Sequence, residues 1–555
     1  MAVSEDKQLC MSFTWLHAMK KGLRILQDDV FFLILHNEPL VQTSLTPYNM
    51  KKTSAILTLL LLHALYACAG DIIVTPGGSI HEALRQAREW RRLGDPRCAG
   101  GITIRVKAGH YYMAEPLFIR PEDSGTADSP TIIIGEEGAV LCGDPPQKHT
   151  QLFPQEGMLR ILHFDKENRC ITIPTPPLAV RETPHLEMLL QQRWAIAILR
   201  VKEMTVRGSQ TDLTFMEPES RLEFEHPWPQ PVVGGEKGNS AFLLRTTEQH
   251  NGIEQLVRLE GTPQHPVKHF TLQGLTFENA CWNRPQHQGH VTLQGGFPLI
   301  DAYKLAKEGL PWAATLENQA WIERPVAAVS IRWATNVKVS QCHFNHLGAT
   351  ALDFAIGIDN CEVSDCRFTN IGGTAILAGS FAESPLEVHR PYDDLAPLCK
   401  HLRILSNHIE NATTEDWGAV AIGCGYVQDT NISNNQVDGV NYSGICVGWG
   451  WTPKQTGMCN NRITGNTVKD YARQLYDAGA IYTLSCQPNS EISNNLIGQH
   501  APAPYSTNDR CFPIYLDAAT DGYTIRGNKI EGLGYFGKEQ IGFNTPGPDI
   551  HINEK

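Results

Sequence analysis

Three aspartates carry the chemistry that this sequence could perform. Asp477 lies in Tyr476-Asp477-Ala478-Gly479-Ala480-Ile481-Tyr482, and Asp517 follows Ile514-Tyr515-Leu516. Asp416 lies in Glu415-Asp416-Trp417-Gly418-Ala419-Val420. Two carboxyl groups facing one cleft can hydrolyse a glycosidic bond: one donates a proton to the leaving oxygen, and the other activates water or attacks the sugar. Aromatic rings would complete such a cleft by covering the apolar face of a sugar. Trp449 and Trp451, in Gly448-Trp449-Gly450-Trp451-Thr452, together with Tyr482 and Tyr515, are the candidates for that wall. His500, Asp509 and Arg510 precede Asp517 and could border the same site. His389, Arg390, Asp393 and Asp394 form a further polar group in another long stretch. Each aspartate also has a plainer use, capping a turn through its own backbone.

A repeat supplies the scaffold that would position them. An apolar residue, two polar residues, Cys or Asn, one variable residue and another apolar residue recur as Val339 to Phe344, Val363 to Phe368, Ile404 to Ile409 and Ile432 to Val437. The pattern returns as Ile463 to Val468, Ile492 to Ile497 and Ile525 to Ile530, with a weaker copy at Leu272 to Phe277. Between the markers Cys342, Cys366, Asn407, Asn435, Asn466, Asn495 and Asn528 the steps are 24, 41, 28, 31, 29 and 33 residues. Short strands at a period in the twenties, without helices between them, predict an all-β, right-handed parallel β-helix in which longer steps carry inserted loops. An Asn at a turn bonds to backbone and tolerates left-handed geometry, and stacked Asn residues about 4.8 Å apart can form an amide ladder.

Ile481 and Ile514 each precede the next copy by eleven residues, so Asp477 and Asp517 fall in successive coils. Asp477 stands before Ile481 and Asp517 after Ile514, which on one straight strand is a separation of roughly 20 Å. A bend near Ala478-Gly479 is required if the two act together. Asp416 matches the register of the Asp477 segment two coils earlier, about 9–10 Å away, near the upper limit for a pair that inverts the sugar.

The N-terminal part reads as a capped solenoid. Asp71 to Thr75 is a strand, and Ser79-Ile80-His81-Glu82 has capping-box spacing that opens a helix to about Leu93. Ile102 to Lys107, Leu117 to Arg120 and Thr131 to Gly135 read as the first strands, so cap and first coils span 70–150. Residues 151–265 break the pattern and read as an inserted β-rich subdomain; 266–555 is the main β-helix. A second insertion, 281–325, carries Trp282, Trp312 and Trp321 and looks helical around Asp301–Leu310.

Met50-Lys51-Lys52, the apolar run Ile56 to Tyr66 and Ala67-Cys68-Ala69 before Gly70 have the order of a signal peptide, with 1–49 as a spurious upstream extension. Leu65-Tyr66-Ala67-Cys68 is only a loose match to a lipid-attachment motif. The apolar run is short for a membrane span, so none is expected. The formal net charge of −12 argues against a nucleic-acid partner, whose phosphates call for a basic face. The 15 cysteines show no paired C-x-x-C spacing for structural zinc and no regular disulfide framework, so most are expected to be small buried apolar groups.

Several segments resemble bacterial right-handed β-helix proteins of carbohydrate-degrading systems: ITIRVKAGHYYMAEPLFIRPEDSG from Ile102, GHVTLQGGFPLIDAYKL from Gly289, LENQAWIERPVAAVSI from Leu316, YSGICVGWGWT from Tyr442, DAGAIYTLSCQPNS from Asp477 and FPIYLDAATDGYTIRGN from Phe512. Together they are most similar to glycoside hydrolase family 141, which includes α-L-fucosidases and xylanases. The resemblance implies a glycoside hydrolase with Asp477 and Asp517 as its acids, no organic cofactor and no obligatory metal. The expected partner is an oligo- or polysaccharide and the expected state an exported, periplasmic or extracellular monomer. Two other classes stay open: a calcium-assisted polysaccharide lyase, and a non-catalytic glycan-binding solenoid.

Overall fold

A computed structural model of the chain describes residues 70–226, 229–249, 251–301, 321–383, 386–387, 395–501, 503–507, 510–532, 534–535 and 538–553. The signal segment at 50–69, residues 1–49, Trp312, the expected helix beyond Asp301, His389, Arg390, Asp393, Asp394 and Asp509 lie outside them.

Each turn of chain lays one strand on each of three parallel sheets, in ascending sequence order. Sheet one begins Gly70–Val74, Ile102–Val106 and Thr131–Gly135 and ends at Ile550–Asn553. Sheet two runs from Gly109–Tyr112 through Ala139–Cys142 and Thr276–Ala280 towards Lys529–Ile530. Sheet three runs from Leu117–Ile119 through Val257–Glu260 and Ala327–Thr335 to Ile541–Phe543. The expected parallel β-helix is therefore present. Its interior is filled by like residues in register: Phe277, Phe344 and Phe368 are fully buried and stack at 5.0 and 4.6 Å.

The ladder forms at the turn between sheets one and two. Asn407 Nδ2 donates to Asn435 Oδ1 at 2.9 Å, Asn435 to Asn466 at 2.9 Å, Asn466 to Asn495 at 3.0 Å and Asn495 to Asn528 at 2.8 Å. The ladder residue is not the left-handed one. That conformation falls on the residue before it, with φ 55° at Gln341, 55° at Ser406, 57° at Asn434 and 56° at Asn494, while Gly465 and Gly527 fill the same place at 67° and 64°. The division is physical: the left-handed residue turns the chain outside, and the next side chain goes inward to bond its neighbours.

Helix α1, Ile80–Leu93, covers the first coil, with Ser79 accepting from the Glu82 amide and left-handed Gly94 ending it. It buries Ile80, Ala83, Leu84, Ala87 and Trp90, an i, i+3, i+4 stripe on the solenoid end. Such a cap blocks edge pairing.

The inserted subdomain is an antiparallel sheet whose strands lie between His149 and Thr247, and the coil resumes at Val257, earlier than the expected boundary at 265. Its strand Ile196–Arg207 pairs with His290–Val291 of the second insertion. Its apolar core continues without a break into Phe297, Phe381, Trp449, Tyr482 and Tyr515. Ile445, Ile481 and Ile514 face the solenoid interior, so this second core covers the outer face of sheet three.

Candidate active site

Asp477 and Asp517 lie at opposite ends of two paired strands of sheet three, Ala478–Thr483 and Cys511–Leu516. Asp477 has left-handed backbone, φ 60°, so the chain turns at the acid itself, one residue before the expected bend. The Tyr442 hydroxyl donates to the Asp477 carbonyl at 3.1 Å and holds that turn. Tyr482 and Tyr515 are direct strand partners on the outer face, their rings edge to face at 5.3 Å. They lean opposite ways. The Tyr515 hydroxyl donates to Asp477 Oδ1 at 2.8 Å, and the Tyr482 hydroxyl donates to Asp517. A continuous row of side chains thus joins the two acids across the strands.

Each acid has further partners. Arg510 brings Nε to 3.4 Å from Asp477 Oδ1 and donates to the Tyr515 hydroxyl. Asn544 Nδ2 donates to Asp517 Oδ1 at 2.6 Å. Gln294 Nε2, from the second insertion, donates to the Tyr482 oxygen at 3.1 Å. Burial pushes the Asp477 carboxyl above the usual carboxylate range; the Asp517 charge adds to the rise, while Arg510, the Tyr515 hydrogen bond and Arg193 oppose it. Burial also raises Tyr482 and Tyr515, which keeps both phenols protonated and able to donate.

Asp416 stands at the corresponding corner two coils earlier, but its carboxylate faces different neighbours. Its Oδ2 lies 3.1 Å from His290 Nε2, and its Oδ1 accepts from the Gly418 amide at 3.1 Å. The side chain lines a cleft of about 210 Å³ with Glu254, Arg284, His290, Glu323 and Arg324. Gly296 closes over it: a Cβ there would sit 2.7 Å from Asp416 Oδ2, and φ is 78°. Burial raises the Glu254 carboxyl, which accepts from the Asn283 amide at 2.7 Å. Next to Asp416, Glu415 bonds His149 Nε2 of the insert at 2.9 Å and lies 3.6 Å from Arg245. Burial alone would raise Glu415, but the His149 bond and the His149 and Arg245 charges outweigh it and leave its pKa lowered.

The expected aromatic wall is not a wall. Trp449 and Trp451 are 4% and 3% exposed, packed edge to face at 4.8 Å, with Phe297 and Phe381 against Trp449 at 5.4 and 4.9 Å. Tyr482 and Tyr515 are likewise buried and hold the acids. From the second insertion Phe297 packs on Trp449 and Gln294 bonds Tyr482, which local pattern could not show. His500 is exposed, with its ring against Tyr471 at 5.8 Å. Glu254, His290 and Gln294 were missed because they reach the solenoid from insertions without repeat spacing. Asn544 was within reach of the repeat: Ile514 pairs with Ile541, which places Asn544 at the Asp517 position of the next coil. Among the described residues, the one group of His, Cys and carboxylate atoms at metal-binding distances is His110, Cys142 and Glu278, on sheet two.

The GH141 insertion domain, as a family model, matches residues 147–254, which is the antiparallel insert. A solved structure described as a glycoside hydrolase is 32% identical, with a TM-score of 0.80, over 87% of this chain and 96% of that one. Two others are described as XylC with xylose and as alginate lyase from Paenibacillus sp. str. FPU-7. The XylC structure has 10% identity and a TM-score of 0.36 over 83% of this chain and 76% of its own. The lyase has 9% identity and a TM-score of 0.32 over 87% of this chain and 99% of its own. No curated protein matches the chain. With the insert, the solenoid and a full-length relative all in agreement, the chain belongs to glycoside hydrolase family 141.

Proposed function

We propose that this glycoside hydrolase cleaves a bond in a complex, plant-type polysaccharide, with Asp477 as proton donor and Asp517 as its carboxylate partner. The observation that carries the reading is the raised, half-buried Asp477 carboxyl, joined to Asp517 through Tyr515 and Tyr482. A carboxyl with a raised pKa suits protonation of a leaving oxygen; one that accepts from Tyr482 and Asn544 is fixed in position to meet water or the anomeric carbon. The family resemblance favours an α-L-fucosyl or xylan substrate. A panel of aryl glycosides and plant polysaccharides, read for released reducing sugar, tests this. Sugar release is expected; ultraviolet-absorbing unsaturated products abolished by chelator would replace hydrolysis with lyase chemistry.

The cleft supports a second reading, in which Glu254 donates the proton and Asp416 is the partner carboxylate. Loss of activity in Asp416→Asn with activity kept in Asp477→Asn and Asp517→Asn would select it. Export through 50–69 is also our reading, supported by the order of its basic, apolar and small residues. Terminal sequencing of secreted protein is expected to start at Gly70; a start upstream of Met50 would refute it.

A further inference from the structure

We propose that His110, Cys142 and Glu278 form a zinc-binding site on the outer face of sheet two. They come from three consecutive coils, through strands Gly109–Tyr112, Ala139–Cys142 and Thr276–Ala280. Cys142 and Glu278 are direct strand partners, and His110, opposite Val140, is the diagonal neighbour of Cys142. Directly paired residues sit about 4.8 Å apart, and a diagonal one stays within reach of a long side chain. Leu141 and Phe277 are buried in the solenoid, so their neighbours Cys142 and Glu278 face outward. One ligand atom from each of the three lies within 4.8 Å of the others.

The surroundings suit an ion. Asn279 Nδ2 lies 3.5 Å from Cys142 Sγ, and Asn345 Nδ2 donates to Glu278 Oε1 at 2.9 Å. Amide donors behind a thiolate and a carboxylate orient them and steady their charge. The His110 ring stacks on Tyr112 at 6.3 Å. Sulfur, imidazole nitrogen and carboxylate oxygen together are the donor set of Zn²⁺; calcium and magnesium prefer oxygen alone. Three protein ligands leave a fourth position for water. The Cys142 thiol donates to the Gly143 carbonyl at 3.4 Å; on binding, the Zn–S bond forms and that proton leaves to solvent. No electron changes hands. The ion would fasten the first three coils at the root of the insert, away from the sheet-three acids. No ligand spacing betrays the site, because coil stacking alone brings positions 110, 142 and 278 together.

The test titrates chelator-treated full-length protein with Zn²⁺, then with Co²⁺ as a spectroscopic probe. One Zn²⁺ per chain at micromolar affinity or tighter is expected, with a raised melting temperature and a near-ultraviolet thiolate-to-Co²⁺ band. His110→Ala, at an exposed position that leaves the core intact, should weaken binding at least about tenfold. Glu278→Gln should do the same, and Cys142→Ser should remove the band. No binding at micromolar zinc, affinity unchanged in His110→Ala, or a band that persists in Cys142→Ser would each overturn the site.

Discussion

Asn466→Ala cuts the amide ladder at its middle. The Asn466 side chain is fully buried. Its Oδ1 accepts from the Asn435 amide at 3.0 Å and from Asn435 Nδ2 at 2.9 Å; its Nδ2 donates to the Ile432 carbonyl at 2.9 Å and to Asn495 Oδ1 at 3.0 Å. Asn495 Oδ1 keeps the Asn466 backbone amide at 2.9 Å, so it retains a partner. The Asn435 amide and one Asn435 Nδ2 proton do not, while the Ile432 carbonyl keeps the ladder bond that pairs its strand with Arg462–Thr464. A buried polar group left without its partner costs about 1–3 kcal/mol, so two with partial relaxation cost about 2–4 kcal/mol. That is a large part of the roughly 5–15 kcal/mol by which a folded domain is stable. Asn494→Gly is the control: it keeps the left-handed turn, copies Gly465 and Gly527, and should change stability by less than about 0.5 kcal/mol. Urea unfolding followed by circular dichroism measures both. A loss below about 1 kcal/mol for Asn466→Ala, or an equal loss for Asn494→Gly, would refute the ladder as the element that holds coil register.

Further outcomes follow from the site. The Tyr515 hydrogen bond lowers the Asp477 carboxyl, so Tyr515→Phe should raise it further; an acid that works protonated then stays active to higher pH, and the alkaline limb of the pH–rate profile should move up, not down. Glu415, its carboxyl lowered on balance, contributes stability above its unfolded pKa and loses it as pH falls through the folded one. Glu415→Gln should therefore lower the melting temperature at neutral pH, with the gap closing in acid; a gap independent of pH would contradict this. Trp449→Ala should cost about 3–5 kcal/mol in denaturant unfolding, as a buried indole does, whereas an unchanged midpoint with a raised KM would restore its role as a sugar platform.

The solenoid was legible because its causes are local and repeated. Apolar residues of the repeat point inward, a left-handed residue turns the chain and Asn bonds the coil beside it, so eight copies predict the same cross-section. Helix α1 was legible for the same reason: Ser79 and Glu82 mark its start, and its apolar stripe has one period. The site was legible only where it lies on a coil. The coil arithmetic placed Asp477 and Asp517 in neighbouring coils, and their separation required a turn, which the left-handed Asp477 supplies. What escaped is what the insertions do. His290 reaches Asp416, Gln294 reaches Tyr482, and Phe297 covers Trp449, all from one segment without a period. An aromatic residue in a loop reads alike whether that loop faces sugar or its own chain, and only a second core over sheet three decided it.

The most direct measurement is the turnover of Asp477→Asn and Asp517→Asn, each checked for unchanged melting, on the best substrate of the glycoside panel. Losing a general acid or its carboxylate partner removes about 100-fold to 10,000-fold of rate, so both variants are expected to fall at least about 100-fold in kcat with KM little changed. Turnover within about threefold of the native protein in both variants would contradict the assignment of the chemistry to this pair.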